Sequence, residues 1–244
     1  MIFAERNIKL RFRQTFFGVS WVLLQPLLAM ALFTAVLGNL AGLPSDGVPY
    51  AAFVLAGLAV WFPFNTAVTS AAESLVEDPE LVTKVWFPRL LAPLAGILGG
   101  VVDLGISFII ALVVALVVGI PPQLALVTVP ALVIFFVFIA LAFGLWLSAL
   151  NVLYRDVRYA LGYLMQLLFF ATPVVYSSSV AEGDWAALLA LNPLFGLIDL
   201  FRWVLLGVPA PDYTAVISIA SGALVLLGGL VFFRRAERVF ADRI

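Results

Sequence analysis

The chain has 244 residues, of which 64% are hydrophobic and 11% charged, against about 45–50% apolar and about 25% charged in soluble domains. Thirteen Lys+Arg and fourteen Asp+Glu leave a net charge of −1. That composition cannot cover a water-soluble surface, is too apolar for disorder, and offers no basic face to nucleic acid. The fold class it implies is an all-α polytopic membrane protein. Cysteine and histidine are both absent, which excludes disulfides, Cys- or His-based metal sites and Ser–His or Cys–His nucleophiles. No GxxxxGK[ST] loop occurs, so the chain binds no nucleotide of that kind itself.

The N-terminal stretch 1–15 mixes basic and apolar residues, with Arg6, Lys9, Arg11 and Arg13. Arg6, Lys9 and Arg13 share a helical face and Arg11 lies opposite. The apolar run after Arg13 is too long for the core of a secretory leader, so none is expected. A hydrocarbon core of about 30 Å takes roughly 20 helical residues. Runs of that kind predict spans near 17–40 and 50–72.

The following loop has a definite design. Asp78 suits an N-cap and Pro79 the first helical position. Glu80 complements the helix dipole and sits four residues before Lys84. Leu81, Val82, Val85 and Trp86 fall on one side, and Pro88 stops the helix before Arg89. A short capped helix over 78–88 is expected, preceded by Glu77. Its apolar stripe fits either the membrane surface or a groove on a soluble partner.

Spans three and four are expected near 91–118 and 124–150. Asp103 is the one acid well inside a span, and a hydrogen bond to a neighbouring helix is its expected role. A brief polar turn with Arg155, Asp156 and Arg158 precedes a fifth span near 160–177. The stretch 185–207 is apolar, yet Asn192-Pro193 interrupts it and Asp199 and Arg202 lie in its second half. Each such charge costs about 2.5–3.5 kcal/mol at the centre of a spanning helix. Two re-entrant half-helices are expected instead, with Asp199 and Arg202 three apart and able to pair. A sixth span near 213–233 and a tail, 234–244, complete the chain.

Orientation follows from the basic residues. With six spans, Arg6, Lys9, Arg11, Arg13, Lys84, Arg89, Arg155, Arg158, Arg234, Arg235, Arg238 and Arg243 share one side, and only Arg202 lies on the other. The positive-inside rule then places both termini in the cytoplasm. The basic N-terminal stretch is also suited to anionic lipid headgroups.

Several segments resemble the membrane subunits of polysaccharide ABC exporters, the permeases for lipid-linked O-antigen, capsule and teichoic acid chains. The resemblance begins at Arg6-Asn7-Ile8-Lys9-Leu10-Arg11-Phe12-Arg13-Gln14-Thr15, continues through Phe17-Gly18-Val19-Ser20-Trp21 and Gln25-Pro26, and includes Pro79 to Arg89. It extends over Asn151 to Val157, Thr172 to Tyr176, Leu191-Asn192-Pro193-Leu194 and Phe240-Ala241-Asp242. Asn7 stands where the family usually has Asp, and Phe12 where it has Tyr.

The resemblance implies a single permease domain over 1–244 with six spans in the cytoplasmic membrane of a bacterium. It implies a homodimer bound to two copies of a separate ATPase, which would carry the ATP and Mg; this chain would bind no cofactor. Glu77, Asp78, Glu80, Lys84, Trp86, Arg89, Arg155, Asp156 and Arg158 become expected ATPase contacts. Arg6, Lys9, Arg11 and Arg13 become an interfacial gate. Asn192, Pro193, Asp199 and Arg202 belong to outer-face re-entrant helices. Trp61, Phe64, Tyr176 and Trp203, by aromatic type and expected depth, are placed along the glycan path. Two alternatives stay open: an ABC exporter of a small drug or lipid, and a secondary carrier or channel working alone.

Overall fold

The computed structural model describes residues 20–77, 87–180 and 184–240. The expected helices at 1–15 and 78–88 lie outside these residues, except Phe87 and Pro88, as does the end of the tail.

The described residues form helices joined by short turns. Helix α1 (Ser20–Phe33) runs on through a π-helical segment to Leu40. Next come α2 (Tyr50–Glu73), α3 (Leu91–Val117), α4 (Val129–Leu153, after a 3-10 turn from Leu124), α5 (Asp156–Phe170), α6 (Asp184–Ala190), α7 (Pro193–Leu206) and α8 (Tyr213–Ala236, extended to Val239). Five of these stretches are long and apolar enough to cross a membrane: Trp21–Leu40, Tyr50–Glu73, Leu91–Val117, Leu124–Leu153 and Tyr213–Val239. Residues 234–239, expected as the start of the tail, are helical: α8 runs to Ala236 and a 3-10 turn follows over Glu237–Val239.

Helix α2 is the hub of the bundle and is buried over most of its length. Its neighbours approach through small residues, the close-packing device of membrane helices. Gly96 and Gly100 of α3 form a GxxxG pair against it. A Cβ at Gly96 would lie 2.8 Å from the Ala71 nitrogen, and one at Gly100 2.7 Å from the Pro63 carbonyl oxygen. Gly144 of α4 reaches Ala71 from another direction. The Asn151 amide donates to the Ala72 carbonyl at 2.9 Å, tying the ends of α4 and α2 together. Helix α8 locks onto α4 where Trp146 Nε1 donates to the Val225 carbonyl at 2.9 Å. Asp103 is buried on α3.

The fifth expected span departs from its reading. Helix α5 starts at Asp156 and stops at Phe170, so its 15 residues cover only about 22 Å, short of the hydrocarbon core. Pro173 has no N–H to continue the ladder, and the Thr172 N–H closes the last turn on the Phe169 carbonyl at 3.3 Å. The chain then climbs beside α2 as an irregular strap, Ala171–Val180.

Helices α6 and α7 form a hairpin whose turn sits deep in the bundle. A Cβ at Gly222 of α8 would touch Pro193 at 3.2 Å, and Gly222 lies about 13 Å along α8 from Tyr213. Asn192 caps α7 by accepting from the Leu194 N–H at 3.1 Å. Its amide donates to Thr172 Oγ1 at 2.7 Å. Ser218 of α8 accepts from the Gly196 N–H and donates to the Ala190 carbonyl. The polar backbone groups exposed by the break are thereby satisfied, as a turn at that depth requires. Gly207 ends α7 in the left-handed region, φ 70°.

Candidate functional site: a lateral cleft and a buried arginine

The described arginines divide between the two ends of the bundle. Arg89, Arg155, Arg158, Arg234, Arg235 and Arg238 lie at the end shared by the close of α2, α4 and α8 and the start of α3 and α5. Arg202 is the described arginine towards the opposite end. Arg155, Asp156 and Arg158 are exposed at the start of α5. Arg89 is engaged within the chain: its Nη1 donates to the Glu237 carbonyl at 2.6 Å, and the guanidinium lies 6.0 Å from the Phe240 ring centroid. It therefore fastens the exit of the 78–88 segment to the end of α8, where a cation suits the helix C-terminus.

Halfway along α2, a cleft of 330 Å³ opens between α2 and α5. Trp61 and Asn65 come from α2; Gly162, Gln166, Phe169 and Phe170 come from α5. Trp61 is nearly buried and meets the Phe169 ring edge-on, with centroids 5.2 Å apart. The Asn65 side-chain oxygen accepts from Thr69 at 3.3 Å, and Gln166 is exposed. Around the cleft, α5 presents Tyr159, Tyr163, Gln166 and Phe170 at helical spacing, all exposed. A stripe of phenols and a carboxamide is a poor match for acyl chains, which offer no hydrogen-bond partner. It suits a water-lined path flanked by aromatic planes.

The four aromatics expected along such a path do not form one site. Trp61 lines the cleft. Phe64 is fully buried, edge-on to Phe136 and Phe143 at 6.5 and 5.7 Å. Tyr176 lies in the strap and its hydroxyl donates to the Phe170 carbonyl at 3.3 Å. Trp203 is half-buried on α7. Sequence reasoning missed Asn65, Gly162, Gln166, Phe169 and Phe170. Their signal was two carboxamides at mid-span positions on helices that become neighbours.

Towards the arginine-poor end, Arg202 is fully buried. Its Nη2 donates to the Val174 carbonyl at 2.8 Å and Nη1 to the Tyr176 carbonyl at 3.4 Å. Asp199 Oδ1 stands 3.8 Å from Nη1, so the expected pair is present. The guanidinium also stacks 3.6 Å from the Phe53 ring centroid. Tyr50 completes the clamp by donating to the Val175 carbonyl at 2.6 Å. Further out, Ser177 and Ser179 both donate to Asp46 Oδ1, at 2.6 and 3.0 Å. The strap thus has three successive carbonyls held by side chains from α2 and α7. Gly57 makes room for it: a Cβ there would collide with the Val174 carbonyl oxygen. Beside this clamp a 440 Å³ pocket opens, lined in part by Asp46, Asp199, Arg202, Asp212 and Tyr213.

Comparison with known proteins gives the family. A family model described as "ABC-2 type transporter" matches residues 1–206. An O-antigen export system permease protein RfbA of Myxococcus xanthus is 30% identical over 245 residues, 99% of this chain and 93% of the relative. A protein of the same name from Klebsiella pneumoniae is 23% identical over 244 residues, with the same shares covered.

Proposed function

The chain belongs to the ABC-2 type transporter family, and on that premise we propose that it is the membrane subunit of an ATP-driven exporter of a lipid-linked polysaccharide. The substrate class comes from the names of its relatives and from the cleft. A glycan loses water hydrogen bonds at several kcal/mol per hydroxyl in hydrocarbon, so it needs a protein-walled path. The polar and aromatic stripe on α5 is the observation that carries this reading. It leaves a membrane helix unsuited to lipid and well suited to sugar hydroxyls and ring faces.

The working unit is a homodimer in the cytoplasmic membrane of a bacterium, with the α2–α5 clefts facing the path between protomers. Each protomer crosses six times, the fifth crossing being α5 completed by the 171–180 strap. The α6–α7 hairpin is re-entrant from the outer face, and both termini are cytoplasmic. Two copies of a separate ATPase, carrying ATP and Mg, dock on Glu77, Asp78, Glu80, Lys84 and Trp86. The exposed Arg155, Asp156 and Arg158 give a second contact. Arg89 serves a different part: bonded to Glu237, it passes movement of the docking segment to α8. The basic N-terminal stretch, with Arg6, Lys9, Arg11 and Arg13, lies at the inner interface as a gate. Asn192 and Pro193 form the apex of the outer closure, which Asp199 and Arg202 hold to the strap.

The path is tested by substituting its exposed walls, which leaves the core untouched. The double variant Gln166→Leu with Phe170→Leu removes one hydrogen-bonding group and one ring. Each is worth about 0.5–1.5 kcal/mol, so export of the lipid-linked glycan is expected to slow about tenfold at equal protein level. Unchanged export would take α5 out of the path.

A further inference from the structure

The 440 Å³ pocket beside the clamp is walled by five separate stretches of chain: the loop before α2, the strap, the α6–α7 hairpin, the connection after α7 and the start of α8. Its size lies within the range of about 300–1,000 Å³ common to small-molecule sites. Asp46, Asp199 and Asp212 bring three carboxyl groups to its wall, against Arg202 as its one basic residue.

Three of these groups keep hydrogen-bonding capacity that the fold does not use. Arg202 is fully buried, and its Nε has no acceptor among the described residues, although both Nη atoms are engaged by the strap. A guanidinium N–H can only donate, and burying one without an acceptor is costly. Asp212 stands at the N-cap of α8, yet its side chain makes no capping bond and the residue is exposed. At Asp46 the Ser177 and Ser179 hydroxyls both donate to Oδ1, and neither uses Oδ2.

The class of occupant follows from these charges. Three acids against one cation disfavour an anion such as a phosphate or a uronate. The acids are also too dispersed for a metal ion, since no three of them group closely enough among the described residues. An ammonium has no acceptor to offer Arg202. A neutral polyol meets every demand: its hydroxyls donate to carboxylates and accept from the Nε–H. Tyr213, which also lines the pocket and is 56% exposed, adds a ring plane for sugar C–H faces and a phenol at its edge.

We propose that this pocket is a second sugar subsite, separate from the α2–α5 cleft, which holds one neutral pyranose of the exported glycan at the arginine-poor end of the bundle. The proposal rests on the reading of the chain as a glycan exporter and narrows it to a glycan with uncharged residues. A sugar held there touches the strap, the hairpin and α8 at once.

The test uses the full chain in nanodiscs and saturation-transfer difference NMR. The probes are the methyl glycosides of glucose, galactose and mannose, the three corresponding uronates, and glucosamine as the cationic member. At least one neutral glycoside should bind, and its uronate should bind at least fivefold more weakly. Inorganic phosphate in tenfold excess should not compete. Asp212→Ala and Tyr213→Ala alter exposed side chains, so both should melt as wild type does. Asp212→Ala should weaken binding of the neutral glycoside about tenfold, the loss of one hydrogen bond to a charged group. Tyr213→Ala should weaken it to a similar extent. Absence of binding by every neutral glycoside, or tighter binding of the uronate or of glucosamine, would overturn the assignment. Neutral binding undiminished in both variants would remove the sugar from this pocket and leave the export reading standing. Failure of that reading would show separately, as loss of glycan translocation by the complex with its ATPase.

Discussion

Replacing Arg202 by alanine is expected to abolish export and to destabilise the folded protomer by about 3–5 kcal/mol, the range seen when one partner of a buried charged pair is removed. The magnitude comes from what is left behind. The Val174 and Tyr176 carbonyls lose their donors, and Asp199 keeps a buried charge without its partner at 3.8 Å. No regular ladder replaces those bonds, because Pro173 has already ended the helix. Lysine does not restore the site: a single ammonium cannot fork to two carbonyls and stack on Phe53. Adding Asp199→Asn to the alanine variant should recover part of the loss, since it removes the stranded charge. Thermal melting of the detergent-solubilised protein, with export measured in cells, reads both effects. An Arg202→Ala protein with wild-type melting would show that the strap holds itself.

Trp86→Ala and Glu80→Lys are expected to release the ATPase. A central tryptophan in a docking surface is worth about 2 kcal/mol or more, close to thirtyfold in affinity. Glu80→Lys removes the acid expected in the first helical turn and places a cation against the helix dipole. The measurement is recovery of the ATPase with the tagged permease, together with stimulated ATP hydrolysis. The outcome that sinks the docking assignment is survival of both under either substitution. Arg155→Ala should give a smaller loss, as an exposed charge at the rim.

The long apolar runs made most of the bundle legible in the sequence. Hydrocarbon thickness sets helix length, so Tyr50, Leu91 and Tyr213 mark observed helix starts within the expected spans. The hairpin break was equally readable, because Asn192-Pro193 supplies a cap and a first-turn residue at one point. The end of the fifth span was not. Thr172 to Tyr176 reads as a continuous apolar run around one proline. What stabilises it as a strap is Tyr50, 125 residues before the carbonyl it holds, and Arg202, 26 and 28 residues after the carbonyls it holds. No local pattern carries such contacts. The places of the four expected aromatics were not legible for a related reason. Helix α2 is buried on nearly all sides, so periodicity cannot show which of Trp61 and Phe64 meets an open surface. The α5 stripe had a signal, since Tyr159, Tyr163, Gln166 and Phe170 stand at helical spacing in the chain. It gained meaning only once α5 was seen to lie against Trp61 and Asn65.

The proposed account is of a chain that walls the path while another subunit supplies the work. The most direct measurement is translocation of a lipid-linked glycan in proteoliposomes that contain this chain with, and without, its co-expressed ATPase. Glycan should reach the opposite face only when the ATPase and ATP are both present. Translocation at the same rate by the chain alone would contradict the account and identify a carrier that works unaided.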